Sequence, residues 1–281
     1  MHAVLMGFAV IIAWVVRLLK VKSAQTCQGY AALGAFLLPP LLLLTTSLAV
    51  LWMGMDGAMM GISAGWLGDL LAGSFLSFAA VELLRLVWGG WRSLQQVRTY
   101  PLELLDLEPT KTNGRILETP ALFAAQVGFW RSELVVSRGL LATLAPEHLQ
   151  AVLTHEQAHA HYHDTFWFFW LGWLRQITLW LPHTETLWQE LLLLRELRAD
   201  RWAAQRVDAL LIAEALLLIV QSTSTMSPSV CAAFNADLAL SRLEERIEAL
   251  LDHAPGDAEK PRSWLWLGLV LLPLLTVPFH G

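Results

Sequence analysis

Residues 155 to 159 read His155-Glu156-Gln157-Ala158-His159, and a later string reads Glu196-Leu197-Arg198-Ala199-Asp200. On a helix, positions i and i+4 share a face, so His155 and His159 can turn imidazole nitrogens toward one ion. Glu156 falls one position round, placed to take a proton from a metal-activated water rather than to bind the metal itself. A catalytic zinc needs three protein ligands and an open position. A carboxylate from a second helix would complete the two histidines, and Glu196 is the best placed. The pattern implies a metallohydrolase, and within that class a protease, with one Zn2+ per chain.

A five-residue pattern with two free positions also arises by chance, so its context has to decide. The run Pro146-Glu147-His148-Leu149-Gln150-Ala151-Val152-Leu153 precedes it. Pro146 can open the first turn, and Leu149, Val152 and Leu153 form an apolar stripe. The histidine pair is therefore expected on a buried helix. Glu196 and Asp200 recur at helical spacing just after the apolar run Leu191 to Leu194. A buried acid there is costly without a cation or a metal.

Composition sets a second constraint. The chain is 56% hydrophobic and 15% charged, with 14 tryptophans, and its mean hydropathy is +0.50. Soluble domains rarely look like this, whereas integral membrane proteins do. Cys27 and Cys231 are isolated, which excludes a disulfide framework or a cysteine-rich metal site and suits small buried hydrophobes. The net charge is −5 with no long basic run, so nothing points to direct nucleic-acid binding.

Four segments are expected to span a bilayer: about Ala3 to Leu19, Ala31 to Met53 with a kink at Pro39-Pro40, the Gly-rich Ala58 to Val81, and the short Trp264 to Phe279. The first has no basic residue before its apolar stretch and no small-residue cleavage site, so it reads as a retained helix rather than a signal peptide. Arg17, Lys20 and Lys22 follow span one, Arg85, Arg92 and Arg98 follow span three, and Lys260 and Arg262 precede span four. The positive-inside rule then puts both termini outside and the region from about Arg85 to Arg262, with its catalytic motifs, in the cytoplasm of a bacterial-type inner membrane. The aromatic stretch Thr165 to Leu181 tempts a fifth span. A single crossing there would separate His159 from Glu196, so it is expected to pack under the site or lie in the membrane interface.

In the polar portion, Leu104 to Pro120 reads as a linker or small hairpin, with turn signals at Glu108-Pro109 and Asn113-Gly114. Leu122 to Val127 and Glu133 to Ser137 read as two short strands around Gly128. An exposed strand near the metal would let a substrate chain pair in extended form, though an ordinary structural hairpin fits as well. Leu187 to Val220 reads helical, Ser222 to Ser229 as a loop, and Ala236 to Leu251 as an amphipathic helix. No internal repeat is apparent.

These strings carry a resemblance. Pro120-Ala121-Leu122-Phe123, Glu133-Leu134-Val135-Val136-Ser137-Arg138-Gly139-Leu140-Leu141, the run His148 to His159, Asp164, Trp180-Leu181-Pro182, Glu196 to Asp200 and Glu245-Arg246-Ile247 together resemble the BlaR/MecR-type membrane metallopeptidases. Those belong to a wider group of gluzincins that includes HtpX and the CAAX prenyl proteases. The likeness spans about residues 118 to 250. It implies His155, His159 and Glu196 as zinc ligands, Glu156 as general base, and Asp200 as the carboxylate behind a ligating histidine. BlaR/MecR proteins carry an extracellular penicillin-binding sensor after their last span. This chain ends at Gly281, so the sensor and its β-lactam signal are not expected. Gln157 departs from the usual aliphatic residue without touching the ligands.

The expected architecture is a mainly α multi-pass membrane protein with a small α+β zincin-like domain, whose short β-hairpin lies beside the zinc helix. Residues 1–90 would hold three transmembrane helices, 91–119 a linker, 120–252 the metallopeptidase domain, 253–262 a second linker and 263–281 the fourth span. Implied partners are the lipid bilayer and a protein or peptide substrate, such as a cytoplasmic transcriptional repressor or the chain itself. Oligomeric state is left open. A catalytically inactive receptor or scaffold that keeps the metallopeptidase fold is the rival reading, and intact catalytic residues count against it. His163 is an alternative ligand, and otherwise, like His161, a polar residue near a helix end. Asp69 is an intramembrane acid, or an acid at a helix break. Arg195, Arg198, Arg201, Tyr162 and His183 are all conceivable oxyanion stabilisers.

Overall fold

A computed structural model of the chain describes residues 2–24, 30–54, 58–59, 62–63, 66–107, 110–225, 233–252, 268, 270–275 and 277. It is mostly helical, with one four-stranded sheet and a two-stranded ribbon. The chain divides into two compact units: Met1–Val87, Trp170–Leu192 and Asp257–Gly281 form the first, and Trp88–Phe169 and Leu193–Gly256 the second.

The first unit begins with α1 (His2–Ala24) and α2 (Tyr30–Met53). Small residues line their contact: Ala9 and Ala13 are buried with Leu43 and Leu181, which lets apolar helices approach closely. Pro39 and Pro40 both lie inside α2, as expected. Further along α2, the hydroxyls of Thr45, Thr46 and Ser47 donate to the carbonyls of Leu41, Leu42 and Leu43, so they stay satisfied in apolar surroundings. The third apolar segment differs from expectation. Ala58–Met59 (β1) pairs antiparallel with Ile62–Ser63 (β2), and α3 runs Trp66–Arg98. Four glycines between 54 and 65 weaken any helix there. At the other end, Arg85 donates to Glu82 at 2.6 Å on one helical face, so these charges do not stop the helix. The 33 residues of α3 reach about 50 Å at 1.5 Å per residue, longer than a hydrocarbon core of about 30 Å. Among the described residues, three helices, α1 to α3, are thus long and apolar enough to cross a membrane.

Asp69 sits in the first turn of α3, where the helix dipole favours an acid, and 3.4 Å from His2 Nδ1. Gly68 is required beside it: a Cβ there would come within 2.2 Å of the His2 Cβ. The proposed fourth span, the linker 253–262 and both cysteines fall wholly or largely outside the described residues. What is described of that span includes α10 (Leu272–Leu275).

In the second unit the sheet order is β3-β4-β6-β5, with β3 at Leu102–Leu107, β4 at Thr110–Leu117, β5 at Ala124–Gly128 and β6 at Ser132–Ser137. β5 and β6 form the expected antiparallel hairpin. Residues 91–119, placed as a linker between domains, hold the end of α3 and the antiparallel hairpin β3–β4, which agrees with the small hairpin read as the alternative for Leu104 to Pro120; its second strand runs parallel to β6. The turn-forming residues Asn113 and Gly114 masked a strand that takes its stability from pairing rather than propensity. Ile116, Leu134, Val136, Leu140, Leu149 and Leu153 are packed into one core.

Helices α4 (Arg138–Thr143), α5 (Pro146–His161), α6 (Asp164–Ile177), α7 (Thr184–Ala204), α8 (Ala209–Thr225) and α9 (Ala233–Leu251) complete the order. The Ser137 hydroxyl caps α4 by accepting from the Leu140 amide at 3.1 Å. The aromatic stretch read from Thr165 is α6, and the long helix expected from Leu187 is broken between α7 and α8. The Ser/Thr-rich segment begins inside α8, with its remainder outside the described residues.

Candidate metal centre

α5 presents the histidines as its sequence predicts. Pro146 takes the first turn, and Leu149, Val152 and Leu153 are buried on the helix along with His155, Glu156 and His159. α7 contributes Glu196 and Asp200 one turn apart. His155 Nε2 and His159 Nε2 converge to 3.1 Å. The Glu196 Oε2 atom lies 3.3 Å from the first and 3.8 Å from the second. Among the described residues, these three form the one group of His, Cys, Asp or Glu donors able to hold a metal.

Each imidazole is held from behind by a carboxylate. His159 Nδ1 is hydrogen-bonded to Asp164 Oδ2 at 2.7 Å, and Asp164 in turn accepts from Arg198. His155 Nδ1 lies 2.8 Å from Asp200 Oδ1, at ion-pair distance though poorly aligned for a hydrogen bond. Asp200 accepts from Arg246 Nε and a terminal guanidinium nitrogen at 2.7 and 2.8 Å. The other terminal nitrogen of Arg246 is 3.5 Å from Glu196 Oε2. Arg195 donates twice to Glu196 Oε1, at 2.9 and 2.6 Å.

These contacts set the protonation of the site. Burial opposes charge on His155, but Asp200 and Glu196 outweigh it and push the imidazole up to about 9. Burial would raise the Glu196 carboxyl, yet the two imidazoles, Arg195 and Arg246 hold it well below the ordinary range. Asp200 is likewise lowered, with burial opposed by Arg246 and His155. Glu156 moves the other way, raised chiefly by burial.

A cleft of about 220 Å³ opens on this cluster. His155, Glu156, Glu196 and Arg246 line its polar side, and Phe123, Val152, Leu216 and Ile219 are on its apolar wall. Its cation is Arg246, which the conceivable oxyanion set did not include. Of that set, Arg195 is committed to Glu196, Arg198 to Asp164 and the Tyr162 ring at 4.3 Å, and Arg201 is exposed. His183 belongs to the first unit, where it has φ 56° just before α7. His163 is not on α5: it follows the helix end with φ 52° and stacks on Trp130 at 5.3 Å. It therefore forms the turn into α6 rather than joining the cluster. Asp164 had no spacing signal of its own, because it follows that turn. Arg246 arrives from a distant helix, where it reads as one more charge on an amphipathic face.

Two histidines one helical turn apart and a carboxylate from a second helix could hold a metal ion, and with the glutamate beside them they fit the pattern of a metallopeptidase centre. The family profile described as Peptidase family M48 matches residues 104–245, and the chain belongs to that family of zinc-dependent metallopeptidases. No curated protein and no solved structure matches the chain. The donors suit zinc: bonds of about 2.0–2.1 Å in a tetrahedron give edges of roughly 3.3–3.4 Å, close to the separations above.

Proposed function

We propose that the chain is a zinc-dependent membrane endopeptidase in which His155, His159 and Glu196 hold the metal and Glu156 is the general base. The observation that carries this reading is the convergence of two Nε2 atoms and one carboxylate oxygen beside a buried glutamate in a cleft. When bound, zinc polarises a water and the scissile carbonyl. Glu156 accepts the proton of the attacking water and returns it to the leaving amine; its raised affinity for protons suits that double duty. Asp164 keeps the Nδ1 atom of His159 as a proton donor, which fixes that ring with Nε2 facing the metal, and Asp200, 2.8 Å from His155 Nδ1, is placed to do the same for His155 once the ring aligns.

β5 is an edge strand of its sheet, and Ala124 lies on the cleft wall. An extended substrate could add to that edge and place one apolar side chain in the cleft. The BlaR/MecR-like motifs support a protein substrate such as a repressor, or the chain itself. The basic residues Arg85, Arg92 and Arg98 after the third apolar segment support a cytoplasm-facing site. The domain limits proposed are a membrane part at 1–90 with a further span at 263–281, and a peptidase part at 120–252 that the β3–β4 hairpin extends toward the N-terminus.

The test is proteolysis of a mixed peptide substrate by the detergent-purified chain. Internal cleavage that a chelator stops and added zinc restores is the expected result. Cleavage unaffected by the chelator would overturn the reading.

A further inference from the structure

The two oxygens of Glu196 are used differently. Oε2 faces both histidines, at 3.3 and 3.8 Å. Oε1 instead accepts from Arg195, whose Nε and terminal nitrogen both donate to it. Arg195 is itself fixed, because its guanidinium lies 4.8 Å from the Phe168 ring centroid on α6. A flat guanidinium on an aromatic face, with two N–H groups on one oxygen, keeps little freedom to follow the carboxylate elsewhere.

We propose that Arg195 is a positioning residue that makes Glu196 a one-oxygen ligand. This rests on the ligand set proposed above. A carboxylate can bind a metal through one oxygen or both, and at a three-ligand zinc the choice matters. If both oxygens bound, the second would take the position that water or a peptide carbonyl needs. Two charge-assisted hydrogen bonds to Oε1 oppose that rotation. Asp200 and Arg246 do not substitute for this constraint: Arg246 is bidentate on Asp200, and its nearest atom to Glu196 faces Oε2 at 3.5 Å. Phe168 thus acts on the metal through Arg195.

Replacing zinc by cobalt in the detergent-purified full chain gives a readout independent of turnover, since cobalt d–d absorption reports coordination number. Wild type loaded with cobalt is expected to show the intense band of a four-coordinate site. Arg195→Met should bind cobalt but lose intensity severalfold and shift the band to shorter wavelength, as Oε1 joins the metal. Phe168→Leu, which loosens Arg195 and leaves its charge in place, should shift the spectrum the same way by a smaller amount. Identical spectra for wild type and both variants, at equal cobalt loading, would overturn the role of Arg195 and leave the ligand set standing. A wild type that takes up no cobalt or zinc would instead overturn the ligand set itself, and this role with it.

Discussion

Asp164 Oδ2 lies 2.7 Å from His159 Nδ1, across the turn that separates α5 from α6. That turn is built by His163 in a left-handed conformation, so a strained residue brings the acid back onto the histidine. Asp200 has the matching place behind His155. The two acids differ in what stands behind them. Arg198, beside Asp164, has a side chain 45% exposed, whereas Arg246, beside Asp200, is 14% exposed.

The difference separates two substitutions. Asp164→Ala should lower zinc affinity about 10–100-fold with little loss of stability, because the freed arginine can be hydrated. Asp200→Ala should lower affinity similarly and also cost about 3–5 kcal/mol, because it strands a buried guanidinium. Chelator competition and thermal unfolding in detergent measure the two effects. Equal stability of the two variants would contradict this account of Arg246.

Glu156→Gln is expected to keep the metal, since Glu156 lies on α5 beside the histidines without being one of the donors. Cleavage should fall by about 10²–10⁴-fold, the usual contribution of a general base. Loss of zinc from this variant would mean that Glu156 binds the metal rather than the proton.

Zinc uptake should release protons. In the metal-free protein His155 titrates at about 9, so at neutral pH the imidazole carries a proton that zinc must displace. Affinity should therefore rise with pH, by about tenfold per unit for each proton displaced, and level off above about 9. The same raised value stabilises the metal-free fold below the ordinary value of 6.5, and that contribution is lost as pH rises through about 9. Isothermal titration in buffers of different ionisation enthalpy counts the protons released. An affinity independent of pH between 6.5 and 8.5 would contradict this prediction.

The apolar wall of the cleft should discriminate among substrates. Leu216→Trp projects from α8 into the space lined by Val152 and Ile219. It should depress cleavage of peptides with a large apolar residue beside the scissile bond by about 10–100-fold, and affect alanine analogues little. Zinc content should not change. A uniform loss across peptides would show that Leu216 acts on the fold instead.

The site was largely legible because its signal is local. The i, i+4 spacing of His155 and His159 survives in any helix, and Glu196 and Asp200 repeat that spacing on α7. Pro146 and the stripe of Leu149, Val152 and Leu153 gave the helix that carries the pair. Asp164 and Arg246 fall within the strings that carry the resemblance, but their roles escaped because those depend on tertiary placement. Arg246 reaches Asp200 from α9, and Asp164 reaches His159 through a backbone turn that no propensity signals. A small hairpin is one reading of Leu104 to Pro120, but the extent of β4 escaped for a related reason: Asn113 and Gly114 are turn formers by local preference, yet they pair with Leu104 and Glu103 in the ladder. The displaced start of α3 shows the same tension from the other side, since high hydropathy across residues 58–65 concealed the cost of its glycines.

The central claim is that Glu196 completes a three-ligand zinc site, and the metal content of the detergent-purified chain tests it. The account predicts about one zinc per wild-type chain and a sharp loss in Glu196→Ala. Zinc retained at wild-type level in that variant would contradict Glu196 as the third ligand, and zinc absent from the wild type would contradict the metal centre.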